Sequence, residues 1–451
     1  MDKFYNREQP LAKLRAISNN LASSKGQLSV VVGRRRVGKT RLLNEAFSKQ
    51  KGLFLYLFIS RKSEAALVDE FASIISTQLG AKFFKPSSLR DIFEYLFDYA
   101  KTRPLTLVVD EFQDIERVNP SLFSDLQNLW DSTKRQTQMH WVCCGSLYSL
   151  MTKLFKGDKQ PLLNRDDHFF KIQPLSPSYI RQMLQDKKLY TAERLLQWWC
   201  LSGGIPKYLE WLAQAGEHPF DALISASSPL IEEGTHRLIE DFGSEHRAYF
   251  DVLAAISQGY TARPRIESYL DMGVGPVLEK LENDFAVITK QRPLHAKENS
   301  RDVRYALADP FLCFWFYFIH ANKSAVEMEN FAYIHQLIQR DFVSFSGKQL
   351  EGLFTALLIE SGRFNRIGGH WDNKGENEID IVAINDLEKY ILVVEVKRQS
   401  KRFNQQALLV KTGHLLQKLK CPDYRVEQRC FSLDNLDEVW LEFGRDKTAI
   451  E

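Results

Sequence analysis

The stretch Leu28–Thr40 reads LSVVVGRRRVGKT. A short run of residues suited to a buried strand ends at Gly33, G-x-x-x-x-G-K-T is completed at Thr40, and helical sequence runs from Arg41 to Phe47. Strand, glycine loop and helix in that order predict a loop that cradles a polyphosphate. The glycines let the backbone wrap the anion so that N–H groups point inward. The binding set is then Gly33, Arg34, Arg35, Arg36, Val37, Gly38, Lys39, Thr40 and Arg41. In such a loop Lys39 reaches the β- and γ-phosphates and the Thr40 hydroxyl ligates Mg²⁺.

Downstream, LFLYLFI (Leu53–Ile59) and LTLVVDE (Leu105–Glu111) read as continuous apolar strands, with helices expected over Ser63–Leu79 and Ser88–Lys101 between them. Strands without alternation are buried on both faces, as in a parallel sheet. The second ends in two acids. Asp110 is placed to hold Mg²⁺ through water and Glu111 to activate the attacking water. A further strand, MHWVCC (Met139–Cys144), leads into Gly145 and Ser146; the Ser146 hydroxyl either senses the γ-phosphate or belongs to a simple Gly-Ser turn. Phe169–Gln173 is a fifth strand closed by Pro174 and Pro177. Arg165, just before it, is a candidate to stabilise charge on a transferring phosphoryl group, in cis or across a subunit interface.

The whole chain has 451 residues, 44% apolar and 26% charged, the balance of a globular protein of about three domains. Its polar N-terminus is not a signal peptide, and no apolar run approaches a membrane span. Six cysteines, none in a C-x-x-C pair, suit neither a disulfide framework nor a zinc site, so a cytoplasmic protein with reduced thiols is expected. A net charge of +3 does not by itself announce nucleic acid.

Six segments occur together in a telling order: FYNRE (Phe4–Glu8), Gly33–Thr40, VVDEF (Val108–Phe112), Gly145-Ser146, Arg165, and GGIPKYL (Gly203–Leu209). The chain resembles the archaeal-type ATPases, P-loop enzymes of the signal-transduction branch related to AAA+ proteins. The resemblance implies ATP as ligand and a helical lid followed by a winged helix, and it places Phe4, Arg7 and Pro206 around the adenine. Asn164 stands where the family often has glycine.

In the middle, Thr191–Trp199 and Tyr208–Gln214 read as lid helices separated by the Gly203–Pro206 break. Helices at Arg247–Ser257, Arg263–Tyr269 and Val274–Asp284, with strands at Phe285–Thr289 and Val303–Ala306, make a winged helix-turn-helix. Its third helix carries Glu279, Glu282 and Asp284 against Lys280, so charge favours a packing or regulatory role over DNA reading. Asp309–Ile319, dense in aromatics, is expected to be a buried connecting helix.

The last third holds a second set of acids. A helix over Gln349–Ile359 places Glu351 near its start; a strand over Asn377–Ile384 carries Asp380; Tyr390–Lys397 carries Glu395 and Lys397 on one face. Carboxylates from neighbouring strands make a hard oxygen site for Mg²⁺ or Mn²⁺, with Glu351 completing it, and a nearby lysine can orient or deprotonate water. A helix at Phe403–Lys420 and a strand at Arg425–Leu433 complete an αβββαβ order. This resembles the PD-(D/E)xK nuclease superfamily, and Gly347–Lys397 resembles the uncharacterised domain that often accompanies archaeal-type ATPases. An ordinary hairpin with solvated charges is the alternative. Arg398, Lys401 and Arg402 suit phosphate contacts or solvent equally.

The sequence thus predicts an α/β multidomain protein. A P-loop NTPase core with a parallel sheet (residues 1–180) precedes a helical lid (181–244), a winged helix with its aromatic connector (245–325) and a restriction-endonuclease-like domain (326–451). Its expected partners are ATP, DNA and a protein partner or second copy, and no membrane. The expected activity is an ATPase governing a metal-dependent DNA nuclease; the alternative is an ATP-gated switch or DNA-binding regulator with a non-catalytic nuclease fold.

Overall fold

The computed structural model describes residues 3–21, 25–50, 52–81, 83–226, 228–242, 246–297, 299–372 and 377–444. The expected lid-to-wing boundary at 244/245 falls outside them. The chain divides into two compact units, Met1–Gln173 and Pro174–Glu451.

The first unit is built on a five-stranded sheet of β1 (Gln27–Val32), β2 (Leu53–Phe58), β3 (Leu105–Asp110), β4 (Met139–Gly145) and β5 (His168–Lys171), in the order β2-β3-β4-β1-β5. Every neighbouring pair is parallel. The continuous apolar runs have their cause here, because alternate residues fill opposite faces. Val30, Val32, Leu107, Val109, Trp141 and Cys143 join Phe71, Phe93, Phe97 and Trp130 on one side. Val31, Val108, Val142 and Cys144 join Leu14, Leu42 and Phe47 on the other. Each such burial stabilises the fold by roughly 1.5–3 kcal/mol. Local signals set the helices: Ser88 and Asp91 form a capping box opening Leu89–Thr102.

In the second unit, the helix Ala192–Ser202 ends at Gly203 (φ 54), followed by Gly204 (φ 79). A Cβ on Gly204 would sit 2.0 Å from the Leu175 carbonyl oxygen, so only glycine fits, and Pro206 then opens the helix Pro206–Ala215. Helices His246–Ser257, Arg263–Leu270 and Gly275–Asn283 precede an antiparallel hairpin, β6 (Ile288–Gln291) with β7 (Arg304–Leu307). The three-helix and wing pattern is present, but β6 starts later than expected because Ala286 adopts φ 51 and turns the chain first. The aromatic connector is an α-helix, Pro310–Phe314, continued as a π-helical turn, Trp315–Ile319, and is buried along most of its length.

The helix expected to begin at Gln349 instead spans Phe331–Ser361. Buried Ile334, Ile338, Phe342 and Ser346 extend the apolar stripe upstream, Asn330 caps its start, and Gly362 ends it in the left-handed region. Glu351 consequently lies well inside a long helix rather than near a helix start. Beyond it, β8 (Arg366–His370), β9 (Ile379–Asn385), β10 (Tyr390–Lys397) and β11 (Arg425–Ser432) form a mixed sheet in the order β11-β10-β9-β8. β8, β9 and β10 pair antiparallel, and β11 joins β10 in parallel after the crossover helix Gln405–Leu419. The αβββαβ order is present, with a further helix, Leu436–Phe443, at its end.

Candidate functional site

Parallel pairing brings the carboxyl ends of β1, β3 and β4 to one edge of the first sheet. Val32 lies opposite Gly145 and Val109 opposite Cys143, so the phosphate loop, the acid pair and Ser146 leave the sheet side by side. Ligands of open α/β sheets bind at this edge. Within the loop, Arg36 (φ 63) and Gly38 (φ 91) take left-handed conformations, the alternation that turns backbone N–H groups toward an anion. Gly33 is obligatory on space alone, since a Cβ there would come 2.6 Å from the Ile172 carbonyl oxygen. Lys39 is buried and its ammonium donates to the Gly33 and Arg34 carbonyls at 2.8 and 3.3 Å, closing the loop on itself. Val37 is buried, Arg34 and Arg35 are half-buried, and Arg36 and Arg41 are exposed.

Thr40 donates to an Asp110 carboxylate oxygen at 3.3 Å. The same oxygen accepts from the Tyr56 hydroxyl, and the other accepts from the Glu111 N–H at 2.9 Å. Burial, reinforced by Asp110, raises the Tyr56 pKa and keeps the phenol a donor. A threonine hydroxyl beside a buried carboxylate is an oxygen pair of the hard type that Mg²⁺ takes, so these residues fit that ion. Glu111 turns out of β3 at φ 51, and one of its oxygens accepts from Ser146 at 2.8 Å and from Gln113 at 2.5 Å. The sequence reading missed both Tyr56 and Gln113. Tyr56 was signalled by a hydroxyl inside an otherwise apolar strand, Gln113 by its place two residues beyond the acid.

Phe4 packs on the cluster containing Val31 and Val37, beneath the Arg41 guanidinium at 5.5 Å. Arg7 (φ 83) is buried and donates to the Val37 carbonyl at 3.4 Å and to that of Gln173; burial brings its pKa down to about 10. Both residues of the N-terminal segment therefore lie against the loop.

Arg165 does not. The chain just after it pairs with the start of β1, where the Leu28 N–H donates to Asp167 and the Asp167 N–H to the Leu28 carbonyl, and β5 then runs parallel to β1. That is the amino end of the sheet, opposite the loop. The guanidinium is held by Asp131 at 2.7–3.2 Å and by the Leu163 carbonyl. Asn164 adopts φ 56, a conformation glycine takes freely and asparagine tolerates. Pro206 belongs to the second unit, at the first turn of its helix.

In that second unit Asp380 stands on β9 while Glu395 and Lys397 stand on β10, one step beyond the last registered pair, Val394 with Ile381. The Asp380 carboxylate accepts from the Val396 N–H at 2.7 Å and lies 4.0 Å from Lys397. Glu395 is bound by Lys397 at 2.7 Å and by Lys411, from the crossover helix, at 3.3 Å. Glu351 pairs with Lys348 at 2.9 Å; burial pushes its pKa up to about 7, and Asp380 adds to the shift. Burial also raises Asp380, with Glu395 adding to it against the Val396 N–H. The donors are oxygens of the right kind, and their mutual repulsion is what a divalent cation relieves. They are not assembled as expected, however: among the described residues no group of three or more His, Cys, Asp or Glu is set to hold a metal ion. Each carboxylate has a lysine or backbone partner. Arg398, read from the sequence as either a phosphate contact or solvated surface, is engaged by Glu193 and Ser346, whereas Lys401 and Arg402 are exposed.

The wing adds a contact the sequence did not reveal. The Leu294 N–H donates to the Gly369 carbonyl at 2.9 Å, Arg304 pairs with Glu378 at 2.7 Å and lies 4.5 Å over Trp371, and Trp371 donates to Asp302 at 2.9 Å. Wing and edge strand β8 are thus packed together. Among the described residues no helix is long and apolar enough to cross a membrane.

Residues 4–212 match the family described as "ATPase domain predominantly from Archaea", and residues 315–408 match one described as "Archaea bacterial proteins of unknown function". An uncharacterized protein of Methanocaldococcus jannaschii, MJECL04, is 27% identical over 402 residues, 87% of each chain. A second from that organism, MJ0424, is 31% identical over 81 residues, which are 18% of this chain and 79% of that one. In fold the chain is similar to the Walker-type ATPase PABY2304 of Pyrococcus abyssi, with a TM-score of 0.51 and 21% identity over 70% of this chain and 96% of that one. Residues 4–212, which hold the phosphate loop, the acid pair and the parallel sheet, are an ATPase domain of this family predominantly from Archaea.

Proposed function

We propose that the chain binds and hydrolyses ATP and uses the nucleotide state to govern its C-terminal domain. The observation that carries this is the convergence of Lys39, Thr40, Asp110, Glu111 and Ser146 at one sheet edge. Lys39 trades its contacts with the loop carbonyls for phosphate oxygens. Glu111, held by its neighbours, accepts a proton from the attacking water, and Phe4 and Arg7 form the wall for the base. Thr40 and Asp110 would hold Mg²⁺, which when bound would supply charge neutralisation at the phosphates. Purified protein with ATP and Mg²⁺ should release phosphate, and Lys39→Ala should abolish that release; a variant that hydrolyses normally sinks the proposal.

On this proposal the chain comprises an ATPase core, a lid, a winged helix and a restriction-endonuclease-like domain. Asp380, Glu395 and Glu351 would hold a divalent metal there, with Lys397 orienting water against a DNA phosphodiester. DNA cut in Mg²⁺ or Mn²⁺ and spared by Asp380→Ala supports this role. The lysine pairing of Glu395 favours a second reading, an ATP-gated switch whose nuclease-like fold only binds. Absence of cutting in every nucleotide state, with retained salt-dependent DNA affinity, selects it.

A further inference from the structure

Gln113 sits in the 3₁₀ turn Phe112–Asp114 directly after the acid pair, 3% exposed, with no role yet assigned. Its amide nitrogen donates to Glu111 Oε2 at 2.5 Å, while its own carbonyl oxygen is buried without a hydrogen-bond partner. The amide orientation follows from the contact, because the reverse would set two oxygens against each other. That carbonyl faces Gly145, where a Cβ would approach it to 2.4 Å, so the bare backbone at the tip of β4 makes room for the glutamine. A buried polar atom left unsatisfied is a cost that folding alone would remove by an apolar side chain. Keeping the amide makes sense through what its other end holds. Ser146 binds the same Glu111 oxygen from the β4 tip at 2.8 Å, and β4 lies between β3 and the loop-bearing β1. The two donors therefore lean the Glu111 carboxylate toward the loop and leave its second oxygen without a contact from either of them.

We propose that Gln113 is a positioning residue for ATP hydrolysis, acting through Glu111 by fixing which carboxylate oxygen faces the attacking water. The inference rests on the ATPase reading above. Gln113→Met keeps length and volume while deleting both the donor and the orphaned carbonyl. In the full-length protein it should lower kcat roughly a hundredfold, the scale of an ångström-sized misplacement. Affinity for a fluorescent ATP analogue should stay as in the native chain and the melting temperature should hold or rise, which a merely structural glutamine would not allow. In a Glu111→Gln background the same substitution should produce no further loss, since its route is gone. Native turnover in Gln113→Met, a fall in melting temperature alongside turnover, or a further loss in the double variant each overturns the assignment. A native chain that binds the analogue without Lys39-dependent phosphate release overturns the ATPase reading itself, and this inference with it.

Discussion

At the residue scale, the active edge is an arrangement of shared oxygens. One Asp110 oxygen serves Thr40 and Tyr56, and one Glu111 oxygen serves Ser146 and Gln113, so each acid has its orientation set by a neighbouring strand. Arg165 shows the opposite case, an arginine whose pairing with Asp131 holds it at the amino end of the sheet. Arg165→Ala should therefore leave nucleotide affinity unchanged and cost no more than about 1 kcal/mol, as expected for a partly exposed pair. Nucleotide titration and denaturant unfolding check this, and weakened ATP binding in the variant contradicts the placement.

At the scale of elements, the wing and β8 behave as one packed piece. Leu294 lies against the core containing Ile379, Val382 and Val393, and Arg304 spans Glu378 and the Trp371 ring. Leu294→Ala should destabilise the second unit by about 2 kcal/mol, the low end for a leucine because the side chain is only partly buried. Lys39-dependent ATP binding should be untouched. A wing free for nucleic acid would make the substitution silent in denaturant melts, which is the result that removes this docking. The acidic third helix agrees with that role, as its charge disfavours phosphate.

At the scale of the whole molecule, the two units should respond to acid differently. His140 in the first unit is buried between the Ser18 and Ser29 hydroxyls at 2.8 Å each, and burial lowers its pKa to about 3. The unfolded chain takes up that proton first, so the contribution is complete above pH about 6.5 and is lost as pH falls toward 3. At pH 5 the loss is about 2 kcal/mol. In the second unit burial lowers His370 to about 4, with the same sign. Glu351, raised to about 7 from 4.5, works in the other direction, its stabilisation being complete at low pH and lost as pH climbs through that interval. The two slopes offset there. Calorimetry between pH 7 and 5 should show the first unit weakening more than the second, and His140→Asn should flatten its slope; an unchanged slope removes His140 as the cause. If Glu351 and Asp380 take a divalent cation, Mn²⁺ should raise the second unit's melting temperature more at pH 8 than at pH 5, and an equal effect counts against them as ligands.

By itself, the sequence was enough for whatever repeats locally along the chain. Unbroken apolar runs announced a sheet buried on both faces, G-x-x-x-x-G-K-T announced the loop, alternation with charges two residues apart placed Glu395 and Lys397 on one face of β10, and the helix spacing marked the three helices between His246 and Asn283. Only the tertiary structure decided which side chains meet. The order β2-β3-β4-β1-β5 sets Ser146 on Glu111 and Tyr56 on Asp110, while it sends Arg165 to the far edge. The helix Phe331–Ser361 carries Glu351 past its expected position near a helix start, and the crossover helix delivers Lys411 to Glu395. The physical reason is that periodicity reports the face a residue occupies, whereas strand order and register, which bring distant segments into contact, are set by packing the whole chain at once.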